Sequence, residues 1–128
     1  MSSHELAAIV AAVVLALLIC FQLFLAAGLP FGRAAWGGQH RVLPTKLRLG
    51  SLAAVGILGV AAWIILARAG LVAPGAEPVA IRVATWIFAG YSVLNTLGNI
   101  ASKSPVERYV MTPTSTLILI CFVLVALS

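Results

Sequence analysis

Residues 6–29 form a run of apolar side chains broken by a single polar residue, Gln22. Wound as a helix at about 1.5 Å per residue, this run exceeds the ~30 Å hydrocarbon thickness of a bilayer. It therefore predicts a helix that crosses a membrane with some tilt. A cleaved secretory signal would need a basic n-region and a short apolar stretch. Here His4 and Glu5 precede the run with no Lys or Arg, and the stretch is too long, so a retained span is expected.

The remainder follows the same pattern. Of the 128 residues, 62% are hydrophobic and 9% charged, against about 25% charged in soluble domains. That composition excludes a disordered chain and an ordinary water-soluble core. Further spans are predicted at 47–67, with Lys46 and Arg48 at its start and Arg68 after it, and at 79–99, where Arg82 can snorkel to the head groups. The fourth, 110–127, is the weakest. Its unbroken apolar part, 117–127, is too short alone, and the start at 110 places Pro113 in the first turn, where proline is tolerated. The expected fold is all-α: one integral membrane domain, a four-helix transmembrane bundle running up-down-up-down. Cys20 and Cys121 lie in apolar runs and read as small hydrophobes.

Basic residues set the expected orientation. Loop one, 30–48, holds Arg33, Arg41, Lys46 and Arg48, and loop three, 100–112, holds Lys103 and Arg108. The opposite side has Arg68 and Arg82. Loops one and three are thus expected in the cytoplasm and both termini outside, with Trp63 and Trp86 at the outer boundary and Tyr109 at the inner one. The net charge of +5 points to anionic lipid rather than nucleic acid, because no basic–aromatic recognition module accompanies it.

Helices in lipid pack through small residues. Ala7, Ala8, Ala11 and Ala12, then Ala53, Gly56 and Gly59, then Ala89, Gly90 and Gly98 are the expected seams. Apart from Arg48 and Arg82, each near the start of its span, no Asp, Glu, Lys, Arg or His lies within the spans, which argues against proton-coupled carriers. Small multidrug exporters rest on a glutamate embedded in the first span, whereas Glu5 is at its edge. The polar residues Gln22, Ser51, Asn95, Thr96, Asn99, Ser115 and Thr116 gather in the cytoplasmic half. Such a layer serves either as interhelical hydrogen bonding, for instance Gln22 to Asn95, or as a water-filled vestibule. Polar glue is the commoner use.

Loop one contains Arg33, Trp36, Gly37, Gly38, His40 and Arg41. Consecutive glycine N–H groups with nearby guanidinium groups can hold an anion, and a lipid head group is the anion at hand. A tight turn with purely topological charges is the plainer reading. His40 and Glu107, with Asn99 and Arg108, would form a general-base site if the fold brought them together. Otherwise Glu107 is expected to pair with Lys103 four residues earlier. Ser104-Pro105 and Thr112-Pro113 are helix-start signals. No metal cluster or nucleotide loop appears in the sequence, so no cofactor is expected.

The pattern Pro30-x-Gly32, Gly37-Gly38, Leu43-Pro44 and Arg48, followed by Asn99-x-x-Ser102-Lys103-Ser104-x-x-Glu107-Arg108-x-x-Met111-x-Pro113, resembles a group of small four-span bacterial membrane proteins with no assigned activity. The resemblance implies four spans and a bacterial inner membrane, and carries over no catalytic residue. The expected function is a non-enzymatic accessory or lipid-contacting bundle, with anionic head groups at the cytoplasmic face as partners and a second copy or another membrane protein as a further partner. An oligomeric channel with a cytoplasm-facing vestibule is the alternative, and a lipid-modifying enzyme using His40 and Glu107 the third.

Overall fold

The computed structural model describes residues 1–76 and 78–128. Its helices are α1 (Ser3–Ala26), α2 (Thr45–Arg68), α3 (Pro78–Ala101) and α4 (Thr112–Leu127), and no strand occurs among the described residues. The fold is an all-α four-helix bundle.

The helix ends follow from local chemistry. Ser2 caps α1, its Oγ accepting from the Glu5 N–H at 3.2 Å. This starts the helix three residues before the apolar run. Gly28, at φ +91°, stops it at Ala26 rather than 29. The Gly28 N–H donates to the Leu25 carbonyl and the Leu29 N–H to the Phe24 carbonyl, the paired bonds of a Schellman cap. The same device ends α2, through Gly70 at φ +80° and Leu71 N–H to the Leu66 carbonyl.

The fourth helical stretch begins well before the predicted residue 110. Ser104 caps it: its Oγ accepts from the Glu107 N–H and its carbonyl from the Arg108 N–H. A π-helical turn, Glu107–Met111, then joins α4. Pro113 has no N–H, and its ring would crowd the carbonyl four residues back. The wider turn relieves this, with the Thr112 N–H reaching the Glu107 carbonyl five residues back.

Bonds between helix ends fix the arrangement. Arg48 Nε donates to the Ala26 carbonyl at 2.9 Å, tying the start of α2 to the end of α1. Asn99 Nδ2 donates to Ser115 Oγ at 3.2 Å, tying the end of α3 to the start of α4. Arg68 donates to the Ser128 carbonyl, so the far ends of α2 and α4 also meet. Neighbours are α1 with α2 and α4, and α3 with α4 and α2. Loops one and three therefore share one end of the bundle, joined by the Ser104 hydroxyl donating to the Arg33 carbonyl.

Alanines share the interior with a few large apolar side chains, while many other large ones face out. Ala7, Ala8, Ala11, Ala61 and Ala89 pack with Leu15, Ile65, Phe122 and Val125. Leu17, Leu49, Ile87 and Leu94 are all more than half exposed. In water such a surface would be an aggregation patch, whereas hydrocarbon accepts it. Three stretches, Ser3–Ala26, Thr45–Arg68 and Glu107–Leu127, are long and apolar enough to cross a membrane. Helix α3 is as long as α1 and α2 but more polar, because its buried stripe carries Thr85, Ser92, Thr96 and Asn99 beside Ile81 and Ala89.

Part of the expected packing is corrected. Ala7, Ala8, Ala11 and Ala89 are buried and Ala12 half-buried, but Ala53, Gly56, Gly90 and Gly98 face outward. A side chain built on Gly56, Gly59, Gly90 or Gly98 would meet nothing within 4 Å. The inner face of α2 is formed instead by Ser51, Ala61, Ile64 and Ile65.

Candidate functional site

The end of the bundle that carries loops one and three is hollow. A cavity of about 230 Å³ lies between all four helices, lined by Gln22, Ala54, Asn95, Asn99 and Ser115, with Glu107 and Trp36 at its loop side. A cleft of about 760 Å³ opens beside it, bordered by Arg33, Gly37, Gly38, Lys103 and Ser104. The two share Asn95, Asn99 and Glu107.

Loop one forms the roof of the cavity. Its 3-10 turns, Gly32–Ala34 and Trp36–Gly38, are pinned by buried Ala35 and Leu43 against Leu25. Trp36 holds φ +51°, a left-handed conformation unusual for a bulky residue. Two contacts secure it. The indole Nε1 donates to Ser51 Oγ at 3.1 Å. The ring also lies against Gly50, where a Cβ would come within 3.0 Å of ring carbons Cζ2 and Cη2. Gly38, at φ +73°, faces loop three, and a Cβ there would sit 2.6 Å from Ser104 Cβ. Gly32 is equally constrained, since a side chain would run into the His40 carbonyl.

Glu107 is 9% exposed. Its Oε1 accepts from Ser102 Oγ at 2.8 Å, and Ser102 Oγ in turn accepts from the Ser104 N–H at 3.1 Å. The carboxylate thus reaches the helix cap through an intervening hydroxyl, a relayed form of the capping box. Among the described residues no cation forms an ion pair with it, so the expected Lys103–Glu107 pair is replaced by the Ser102 bond. His40 is exposed and lines neither cavity nor cleft, whereas Glu107 borders both.

The predicted polar layer divides. Gln22, Asn95 and Asn99 line the cavity. Ser51 is spent on Trp36, and Thr116 Oγ1 donates to the Thr112 carbonyl of its own helix at 2.7 Å. Asn99 binds Ser115 and the Met111 carbonyl. The expected Gln22–Asn95 bond is not formed, and Gln22 Oε1 and Thr96 Oγ1 are buried without partners among the described residues.

Of the predicted anion-binding residues, Arg33, Gly37 and Gly38 border the cleft, Trp36 lines the inner cavity, and His40 and Arg41 are exposed and line neither. The glycine pair does not offer two free amides, because the Gly38 N–H donates to the Ala35 carbonyl at 2.9 Å. The cationic side chains on the cleft are Arg33 and Lys103. Sequence reasoning missed Tyr91 and the inward position of Glu107. The Ser-x-x-Glu spacing of Ser104 and Glu107 marked a helix start and hence a fixed glutamate. No family model, curated protein or solved structure matches the chain.

Proposed function

We propose that this chain is a non-enzymatic membrane protein that holds a phospholipid head group at its loop end. The four helices cross a bacterial inner membrane with loops one and three in the cytoplasm, and the protein acts as an accessory or lipid-contacting bundle. One observation carries the reading. Arg33 and Lys103, from separate loops, border one cleft, and Arg33 also edges an apolar groove of about 560 Å³ with Phe24 and Phe31. A cation poised between a polar recess and an apolar one suits an amphiphile with an anionic head. Exposed Arg41 adds to the positive surface that faces the leaflet, with His40 beside it in sequence, while Gly37 and Gly38 border the cleft without side chains.

The test is the phospholipid that copurifies in mild detergent. Each basic residue near an anionic head group contributes about 1 kcal/mol, so Arg33→Ala with Lys103→Ala is expected to cut retention by roughly thirtyfold. Unchanged phospholipid per protein would overturn the reading. Tags on both termini, probed in intact cells, test the orientation separately.

A further inference from the structure

We propose, building on the head-group reading above, that the recess selects a zwitterionic amino-phospholipid: the phosphate at Arg33 and Lys103, the primary ammonium drawn inward to Glu107. The cleft and the cavity are continuous in their lining, sharing Asn95, Asn99 and Glu107. The cleft carries the cations Arg33 and Lys103, and the acidic side chain that cleft and cavity share is Glu107. The recess therefore presents charges of both signs.

The inner part is built for a donor. A buried carboxylate is costly unless it is paired. Glu107 has one hydroxyl bonded to Oε1 and no ion pair among the described residues. Gln22 Oε1 is a second buried acceptor without a partner, and it lines the same cavity. Trp36 and Tyr91 also line this cavity. A primary ammonium supplies the counter-charge that Glu107 lacks and N–H donors of the kind Gln22 Oε1 accepts, while an anion or a neutral glycerol head would leave Glu107 uncompensated. An isolated amine or metal cation would in turn leave Arg33 and Lys103 without their counter-charge. A zwitterion answers both ends. The acyl chains have a path, because Leu94 lines the cleft and is 70% exposed, and Ile87, two turns along α3, is 64% exposed. The chains lie along this outer face, in the bilayer.

The experiment uses the full chain in detergent micelles doped with dioleoyl phosphatidylethanolamine, phosphatidylcholine or phosphatidylglycerol, with retained lipid counted by native mass spectrometry. The wild type is expected to retain the ethanolamine lipid at least about tenfold better than the other two, since trimethylation removes every N–H donor and glycerol removes the charge. Glu107→Gln is expected to erase that preference by lowering retention of the ethanolamine lipid. Equal retention of ethanolamine and choline lipids by the wild type overturns the proposal whatever the variant does, and covers the case in which Glu107→Gln does not fold. A preference that survives in folded Glu107→Gln also overturns it. If Arg33→Ala with Lys103→Ala lowers all three lipids while no ethanolamine preference exists, the head-group reading stands and this inference falls. If that double variant changes nothing, both fall.

Discussion

Gly38→Ala should separate the two loops that form the cleft. The glycine combines two constraints. Its φ of +73° lies in the left-handed region, where a side chain costs about 1–2 kcal/mol. A Cβ there would also stand 2.6 Å from Ser104 Cβ and 3.0 Å from the Arg33 carbonyl oxygen. Relieving such overpacking costs typically about 1–3 kcal/mol. The neighbouring Gly37 provides the control: its φ is +78°, but a Cβ would meet nothing within 4 Å. Gly37→Ala should therefore cost only the conformational part, about 1–2 kcal/mol, and Gly38→Ala about 2–5 kcal/mol. Equilibrium unfolding in mixed micelles, followed by far-UV circular dichroism, measures both. Adding Ser104→Gly to Gly38→Ala removes the opposing Cβ and should recover part of the loss, seen as a coupling of about 1–2 kcal/mol in a double-mutant cycle. Equal losses for the two alanine variants, with no coupling to position 104, would refute the close approach of loops one and three.

Trp36→Phe removes the donor to fully buried Ser51 and should destabilise by about 1–2 kcal/mol, with Ser51→Ala in the same chain recovering part of it; denaturation midpoints decide. Asn99→Leu removes bonds to Ser115 and to the Met111 carbonyl and should cost about 1–2 kcal/mol by the same assay, whereas full stability would mean that α3 and α4 do not depend on this amide. Gln22→Leu should be neutral or stabilising in detergent without added lipid, because it removes a buried acceptor that has no partner; a clear loss of stability would show that the amide is bonded.

The existence of four helices was legible because their apolar length overwhelms local signals, as in residues 6–29. Their ends were less so. Gly28 sits inside the apolar run 6–29, whereas Gly70 lies just past the Arg68 that already closes the second run, and the paired bonds to preceding carbonyls show both as stops. The early start of the fourth stretch was written in Ser104-Pro105, yet hydropathy alone placed it at 110, because the Glu107–Arg108 pair interrupts the apolar pattern. The small-residue seams were half legible. Alanines of α1 face inward, while Gly56 and Gly90 do not, since composition does not say which side of a uniformly apolar helix meets its neighbours. For the site, Gln22, Asn95 and Asn99 were found by depth along the helices. Glu107 was expected beside Lys103, or else His40, and its bond to Ser102 was not read, because that bond depends on how loop three folds around the Ser104 cap.

The stripe of hydroxyls and amide along α3 bears on how the chain is made. Thr85 and Ser92 return their protons to carbonyls of their own helix, so lipid would tolerate them early. Asn99 has no such recourse and finds its acceptors on the segment that follows. The third helix is therefore expected to settle in the bilayer as a hairpin with the fourth. A nascent chain arrested before residue 105 should hold it poorly, and glycosylation mapping of its flanks would reveal this.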